Sequence, residues 1–205
     1  MKATATENTP APSSSAPFVP WVEQARSGDR QSFHRLADHF QPEIFRMIYY
    51  RTRSKMDAED LTQDVFLKAF KNLNQLESPQ QFRSWLYQIA INRVRDHHRR
   101  QRVKALLGMV SMDEEEFQET EEMAVAPEAA DQLARKDFWR RVHVMLDRLS
   151  RMEREVFTLR FLDQLSLKEI SETMKRDEST VKTHLYRALA KMKTAAQADR
   201  LWEGI

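Results

Sequence analysis

The chain has 205 residues, enough for one large domain or two small ones. It contains no cysteine, so disulfide bonds and thiolate metal sites are excluded, and a reducing cytoplasm is the expected location. No apolar run approaches the roughly 18 residues that a membrane span needs, and the N-terminus lacks the apolar core of a secretory signal. We therefore expect no membrane insertion.

The formal net charge of +2 conceals an uneven distribution of charge along the chain. Residues 81–104 carry seven basic side chains and one acidic side chain, and residues 175–193 carry six basic and two acidic ones. Between these zones, residues 111–131 carry nine acids and no base. Two basic zones of this density favour binding to a polyanion, whose phosphates supply most non-specific affinity. The alternative is a pair of solvated helix surfaces.

The sequence predicts an all-α fold, because glycine is scarce and apolar residues recur at helical spacing nearly throughout. Residues 1–17, rich in Ala, Thr, Ser and Pro, are expected to form a disordered tail. Residues 18–104 are predicted to form a first helical domain, with helices interrupted around Gly28 and Pro42. Residues 105–131 are predicted to be a flexible acidic linker, and residues 132–205 a second helical domain.

Residues 57–72 predict a helix with an acidic first turn, which Asp57 is a candidate to cap. Phe66 and Phe70 are expected to pack on its apolar side. Its polar residues allow three interpretations: a solvated face, a docking surface for a basic protein, or a divalent-metal site. The carboxylates that share a face are those of Asp57, Asp60 and Asp64. The lack of an accompanying histidine or phosphate-handling motif disfavours the metal site.

A second helix, predicted for residues 82–104, is apolar in its first half and basic in its second half. Ser78 is the expected cap, with Pro79 in the first turn and Gln81 completing a capping box. Such a helix is anchored at one end and presents cations at the other. Trp85 is expected to lie in the core and not to serve as a base-stacking platform.

Residues 164–193 predict two helices joined by a tight polar turn. Ser166 and Glu169 form a capping box at the first helix, and Asp177 is the candidate cap of the second. At about 100° per residue, the second helix has an apolar stripe opposite a polar face. The polar face comprises Ser179, Thr180, Thr183, Tyr186, Arg187 and Ala190. This pattern is typical of a helix-turn-helix that reads the major groove, with an ordinary helical hairpin as the alternative.

Four segments together resemble the extracytoplasmic-function group of bacterial sigma factors. They are residues 57–66 (DAEDLTQDVF), residues 82–92 (FRSWLYQIAIN), the arginine-rich stretch that follows, and residues 153–157 (EREVF) with the helix-turn-helix. The resemblance extends from about residue 19 to residue 193. It implies two small helical domains, sigma region 2 and sigma region 4, in a promoter-specificity subunit. It also implies that the chain is not an enzyme and uses no cofactor, metal or small-molecule substrate.

The resemblance implies that the helix of residues 57–66 docks on the clamp helices of the RNA polymerase β′ subunit. The implied docking residues are Asp57, Glu59, Asp60, Gln63, Asp64 and Phe66. Region 4 is expected to contact the β flap of the polymerase. The acidic linker is expected to lie in its nucleic-acid channel.

Two sets of DNA contacts follow from the same resemblance. The loop of residues 73–77 and the helix after it are expected to capture an unpaired base of the −10 element and grip the melted strand. The implied −10 residues are Leu76, Asn92, Arg95, Arg99 and Arg100. The implied −35 residues are Ser179, Thr180, Lys182, Thr183, His184, Tyr186 and Arg187.

The expected partners are core polymerase, promoter DNA and an anti-sigma factor, with a role in a stress or envelope response. Two other hypotheses are open on the sequence. One is a free-standing helix-turn-helix regulator that binds duplex DNA without polymerase. The other is a metal-dependent nuclease built on the three aspartates of residues 57–64.

Overall fold

A computed structural model of the protein describes residues 16–107, 142 and 144–198, with side chains up to residue 194. Seven α-helices lie wholly in these ranges, residues 142 and 144–147 are helical as well, and no described residue is in a strand, which confirms the all-α prediction. The helices are α1 Val19–Arg26, α2 Arg30–Thr52, α3 Lys55–Asn72, α4 Phe82–Leu106, α5 Arg151–Phe161, α6 Leu167–Met174 and α7 Glu178–Ala198. The predicted tail up to residue 15, most of the acidic linker and the ends of the second predicted domain lie outside the described residues.

The turn between α1 and α2 lies where the sequence predicts it. Gly28 has a φ of 103°, a conformation that a side chain disfavours. Asp29 then caps α2, because its carboxylate accepts from the backbone N–H groups of Gln31 (3.0 Å) and Ser32 (3.3 Å).

The predicted interruption at Pro42 is wrong, since α2 continues without a break from Arg30 to Thr52. Proline in a helix interior costs about 3 kcal/mol through a lost hydrogen bond and a clash. Phe40 and Ile44, on either side of it, are 1% and 0% exposed. Each such burial contributes about 1.5–3 kcal/mol, which offsets the cost of the proline.

Two predicted helix starts also require correction. Ser54, and not Asp57, caps α3: its hydroxyl accepts from the Asp57 N–H (3.2 Å), so the helix begins two residues earlier. At α4 the expected capping box is absent, because the Ser78 hydroxyl donates to the side chain of Gln80 (2.5 Å). A 3-10 turn, Pro79–Gln81, leads into α4 instead.

Helices α1–α4, the first domain, pack around an aromatic cluster. The rings of Phe18 and Phe40 are 5.2 Å apart, and those of Phe40 and Phe82 are 5.4 Å apart. Trp85 packs against this core, 6.0 Å from the Phe82 ring, as expected. The apolar first half of α4 is therefore fixed in place, and its basic second half extends from that anchor.

Helices α5–α7, the second domain, form the predicted helix-turn-helix and its support. The capping box of Ser166 and Glu169 is present at α6, and Lys175 ends that helix with a φ of 52°. Val181 and Ala188 of α7 are buried. The apolar stripe of α7 therefore faces the protein and its polar face points outward.

The two domains pack against each other through α4 and α6. Leu165 and Ile170 of the second domain belong to the same buried apolar cluster as Phe82 of the first. In this arrangement the helix-turn-helix lies beside the basic helix α4.

Candidate nucleic-acid interface

The polar face of α7 is open to solvent. Tyr186 is 69% exposed, and Lys182, Thr183 and Arg187 are exposed as well. The structure brings all seven predicted −35 residues onto this one helix: Ser179, Thr180, Lys182, Thr183, His184, Tyr186 and Arg187. Thr180 and His184 are half-buried at the edge of the face. The face offers cations, hydroxyl groups and an aromatic ring, which are the groups that contact phosphates and base edges.

The angle of α7 is set by the turn that precedes it. The Arg176 N–H donates to the Ser171 carbonyl (3.1 Å), and the Ser171 hydroxyl donates to the Arg176 carbonyl (2.5 Å). These bonds satisfy polar groups at the end of α6 and hold the chain in a tight corner. The two helices of the motif are thereby held in one orientation.

A charged pair joins α7 to α5 on the buried side of the motif. The Lys191 ammonium group lies 2.6 Å from the Glu153 carboxylate, which also accepts from the Ser150 N–H (2.8 Å). The bond from Lys191, and then that from the Ser150 N–H, lower the pKa of Glu153 to about 2. Glu153 is therefore ionised at neutral pH.

The basic half of α4 presents four of the five predicted −10 residues. Asn92, Arg95, Arg99 and Arg100 are all exposed. Arg99 pairs with Asp96 (3.2 Å) on the same helix, so one of the cations is partly neutralised locally. Arg95 lies 3.6 Å from the carboxylate of Glu155 in the second domain, and Arg100 is exposed to solvent.

Leu76, the fifth predicted −10 residue, is packed in the core at 3% exposure. Its neighbours Asn74, Gln75 and Glu77 are exposed. A base captured by the Leu76 side chain would require that side chain to leave the core. The structure therefore separates Leu76 from the other four, and its role stays a prediction.

Helix α3 exposes a mixed acidic and apolar face. Among the predicted docking residues Glu59, Asp60 and Gln63 are exposed, and Asp57, Asp64 and Phe66 are half-buried. Sequence reasoning missed the apolar part of this face: Met56 is 70% and Leu67 51% exposed. Phe70 was expected to be packed, yet it is 48% exposed although its ring lies 4.9 Å from that of Phe33. The sequence signal that could have revealed this apolar surface is the helical spacing of apolar residues next to carboxylates.

The three aspartates of α3 do not form a metal cluster. Asp57 lies 3.6 Å from the Nε2 atom of His97 on α4. Within the described ranges, no three His, Cys, Asp or Glu side chains are close enough together to hold a metal ion. The same ranges contain no helix long and apolar enough to cross a membrane.

Sequence reasoning also missed a set of charges between the domains. The Arg51 guanidinium donates to Asp163 (2.9 Å), whose side chain is 1% exposed, and lies 3.5 Å from Glu155. Burial raises the pKa of Asp163, and the attraction of Arg51 opposes this shift. Arg51 and Asp163 are 112 positions apart, so no local pattern could reveal the pair.

Arg83 is the centre of a second group of charged contacts between the two domains. It pairs with Glu43 of its own domain and with Glu169 of the second domain (2.9 Å). Glu43 also accepts from the buried Tyr87 hydroxyl (2.8 Å). Burial and the nearby carboxylates Asp163 and Glu43 raise the pKa of Tyr87, so its hydroxyl stays protonated and serves as a donor.

Family models match both domains. Sigma-70 region 2 matches residues 36–103, and Sigma-70, region 4 matches residues 139–192. The ECF RNA polymerase sigma factor BldN of Streptomyces coelicolor is 35% identical over 181 residues, covering 87% of this chain and 66% of BldN. The ECF RNA polymerase sigma factor SigW of Bacillus subtilis is 27% identical, covering 81% of this chain and 89% of SigW.

Two solved structures have the same fold. CnrH in complex with the cytosolic domain of CnrY has a TM-score of 0.62 and 23% identity, and covers 88% of this chain and 97% of CnrH. The sigma factor RpoE in complex with the anti-sigma factor NepR from Bartonella quintana has a TM-score of 0.60 and 19% identity, and covers 82% of this chain and 99% of RpoE. At these identities the likeness concerns the fold alone.

Proposed function

This chain belongs to the extracytoplasmic-function group of sigma factors, and we propose that it binds core RNA polymerase and directs initiation at promoters by recognising −35 and −10 elements. Sigma factors are non-catalytic subunits of transcription initiation, and we assign no enzymatic activity to this chain. Its place of action is the cytoplasm, where polymerase and promoters are found.

The observation that carries this proposal is an exposed helix-turn-helix face on the same chain as a second exposed basic helix, each within its own family match. A regulator that binds only duplex DNA through its recognition helix does not require the basic end of α4. A subunit that binds one duplex element and one melted element requires both the exposed face of α7 and the basic end of α4.

At the −35 element, α7 would lie in the major groove with its exposed face toward the bases. Arg187 and Lys182 can donate to guanine or to phosphate, and Thr183 and Tyr186 can contact base edges or backbone. The Thr183 hydroxyl donates to the Ser179 carbonyl (2.9 Å) in the free chain, and it can still accept a bond from DNA.

At the −10 element, the exposed end of α4 would hold the melted strand. Arg95, Arg99 and Arg100 would neutralise phosphates, and the Asn92 amide would contact an unpaired base. Extruding a base costs a few kcal/mol, and contacts of this kind offset the cost only when the sequence fits. Melting would in this way depend on sequence.

Docking on polymerase would use the mixed face of α3. Carboxylates attract a basic partner, while Met56, Leu67 and Phe70 supply apolar area that is costly to leave in water. This combination suits the clamp helices of β′. We further propose that the second domain contacts the β flap and that an anti-sigma partner restrains the chain. Support for a restraining partner comes from RpoE, which was solved in complex with an anti-sigma factor.

A binding comparison separates this function from that of a free-standing regulator. Duplex promoter DNA is titrated with the full chain, with and without core polymerase. A sigma factor is expected to bind weakly alone and at least tenfold more tightly with polymerase. Tight, dimeric binding that polymerase does not alter would favour the regulator. Arg187→Ala should weaken the complex, whereas Arg176→Ala, which removes a cation from the neighbouring turn, serves as the matched control.

A further inference from the structure

The last turns of α4, residues 98–107, carry an exposed apolar stripe. Val103, Leu106 and Leu107 are 50%, 86% and 67% exposed, and at about 100° per residue they lie on one side of the helix. Exposed cations flank the stripe on both sides: Arg100, Arg102 and Lys104. An exposed apolar surface bordered by charge indicates a docking surface. We call residues 98–107 the projecting end of α4.

The mixed face of α3 has the same design with the opposite charge. Met56, Leu67 and Phe70 are 70%, 51% and 48% exposed and lie on one side of that helix. The carboxylates that flank them are those of Glu59, Asp60 and Asp64. Each of the two surfaces therefore offers what the other lacks: an apolar stripe with acids on one, and an apolar stripe with cations on the other.

The two surfaces extend in opposite directions from one point of contact. Helices α3 and α4 are antiparallel neighbours, and the Asp57 carboxylate at the start of α3 lies 3.6 Å from the Nε2 atom of His97. From this contact α3 runs back along the first domain, whereas α4 continues past the start of α3 by about 15 Å at 1.5 Å per residue. The surfaces of one chain therefore cannot cover each other.

We infer that two copies of this chain associate head to tail, with the projecting end of α4 of each copy on the mixed face of α3 of the other. A two-fold axis through the contact of Asp57 with His97 produces this arrangement, because it exchanges the two directions and closes as a dimer. Residues equally far along the chain from the contact then face each other across the dimer: Asp60 and Arg100, Asp64 and Lys104, and Leu67 and Leu107.

A second copy satisfies these surfaces better than the other occupants do. Pairing two copies of α4 would bring cations together, and pairing two copies of α3 would bring acids together, so opposite charge favours α3 with α4. Nucleic acid would neutralise the cations but leave Leu106 and Leu107 in water. Because each stripe spans only a few turns, the contact is that of a weak, reversible dimer.

The dimer has a consequence for the proposed function. It covers the face of α3 assigned to polymerase and Arg100, which is assigned to the melted strand. A second copy and core polymerase therefore compete for the same chain, and polymerase should dissociate the dimer. This consequence rests on the proposed docking role of α3, whereas the self-association itself does not.

Sedimentation velocity of the full chain, without polymerase or DNA, measures the association. Between about 1 and 100 µM the chain should pass from monomer to dimer, and added salt should weaken the dimer. Leu106→Ser and Leu67→Ser should each raise the dissociation constant at least tenfold. Val144→Ser is the matched control, since Val144 is also apolar and 52% exposed but lies on neither surface, and it should change nothing.

An exchange of charges tests the pairing itself. Asp60→Lys and Arg100→Glu should each weaken the dimer at least tenfold, because each replaces attraction by repulsion at both contacts. An equimolar mixture of these two variants should associate as well as the unaltered chain, since the reversed charges meet at one contact and the original charges at the other. Asp38→Lys, at an exposed site on α2, should not restore association when mixed with Arg100→Glu.

Each outcome of these measurements has a defined meaning. A chain that stays monomeric at every concentration, as expected if its own acidic linker covers α4, overturns the inference. A dimer that none of the variants weakens uses another surface and overturns it as well, and so does a mixture that associates no better than its components. Polymerase and promoter are absent from these measurements, so such a failure leaves the proposed function intact.

Discussion

Glu153 joins the start of α5 to α7, the helix that carries the proposed −35 contacts. It completes a capping box with Ser150 at the start of α5, and it holds Lys191 of α7. Glu153→Gln keeps the cap acceptor and removes the charge, so we expect the second domain to lose about 1 kcal/mol at neutral pH. Chemical unfolding followed by circular dichroism measures this loss.

The pH dependence of that loss has a defined sign. The folded chain holds the pKa of Glu153 near 2, below its usual value of 4.5, so the ionised form stabilises the fold. This contribution is complete above pH 4.5 and disappears as the pH falls toward 2. The difference in unfolding free energy between the unaltered chain and Glu153→Gln should shrink over this interval. A constant difference would contradict the assigned role of the Lys191 contact.

Arg187 is an exposed cation on the polar face of α7, where the −35 contacts are proposed. If its guanidinium contacts a base, Arg187→Ala should reduce the binding free energy at −35-dependent promoters by about 1–3 kcal/mol. It should also relax the base preference at one position of the −35 element. Thr183→Ala should have a smaller effect in the same direction. Both variants should bind core polymerase normally, measured by co-elution. A variant that loses polymerase binding instead would contradict the placement of the −35 contacts on α7.

At the scale of elements, α3 and α7 are expected to act independently. Asp60→Lys reverses a charge in the middle of the exposed face of α3 and should lower the affinity for core polymerase by about tenfold, or about 1.4 kcal/mol. The −35 duplex affinity of the free chain should not fall. Asp38→Lys, at an exposed site on α2, is the control for charge. Equal losses in both variants would argue against α3 as the docking helix.

Helix existence could be predicted from the sequence, whereas helix ends could be predicted only in part. The capping box at Ser166 was predicted correctly because Ser and Glu stand three residues apart directly before an apolar run. The same rule failed at Ser78, where Pro79 begins a 3-10 turn that displaces the helix start. The prediction of a helix break at Pro42 was wrong for a different reason. The burial of the residues on both sides of the proline outweighs its local unfavourable effect on the helix.

At the scale of the whole molecule, the contacts between the domains could not be predicted. Arg51 and Asp163 meet only because the domains pack, and each looks like an ordinary surface charge in its own segment. The exposed polar faces of α4 and α7 were predictable because periodicity separates the polar side of a helix from its apolar side. The burial of Leu76 could not be predicted in this way, because a short loop has no hydrophobic periodicity that would show which of its side chains are buried.

Mapping of transcription start sites tests most directly whether this chain recognises promoters. Genomic DNA of the source organism is transcribed with its purified core polymerase, with and without this chain, and the start sites are mapped. We expect start sites that depend on the chain and that share two sequence blocks centred about 25 base pairs apart. Arg187→Ala should weaken the upstream block alone. No chain-dependent start site, with polymerase binding intact, would contradict the assignment of promoter recognition to this protein.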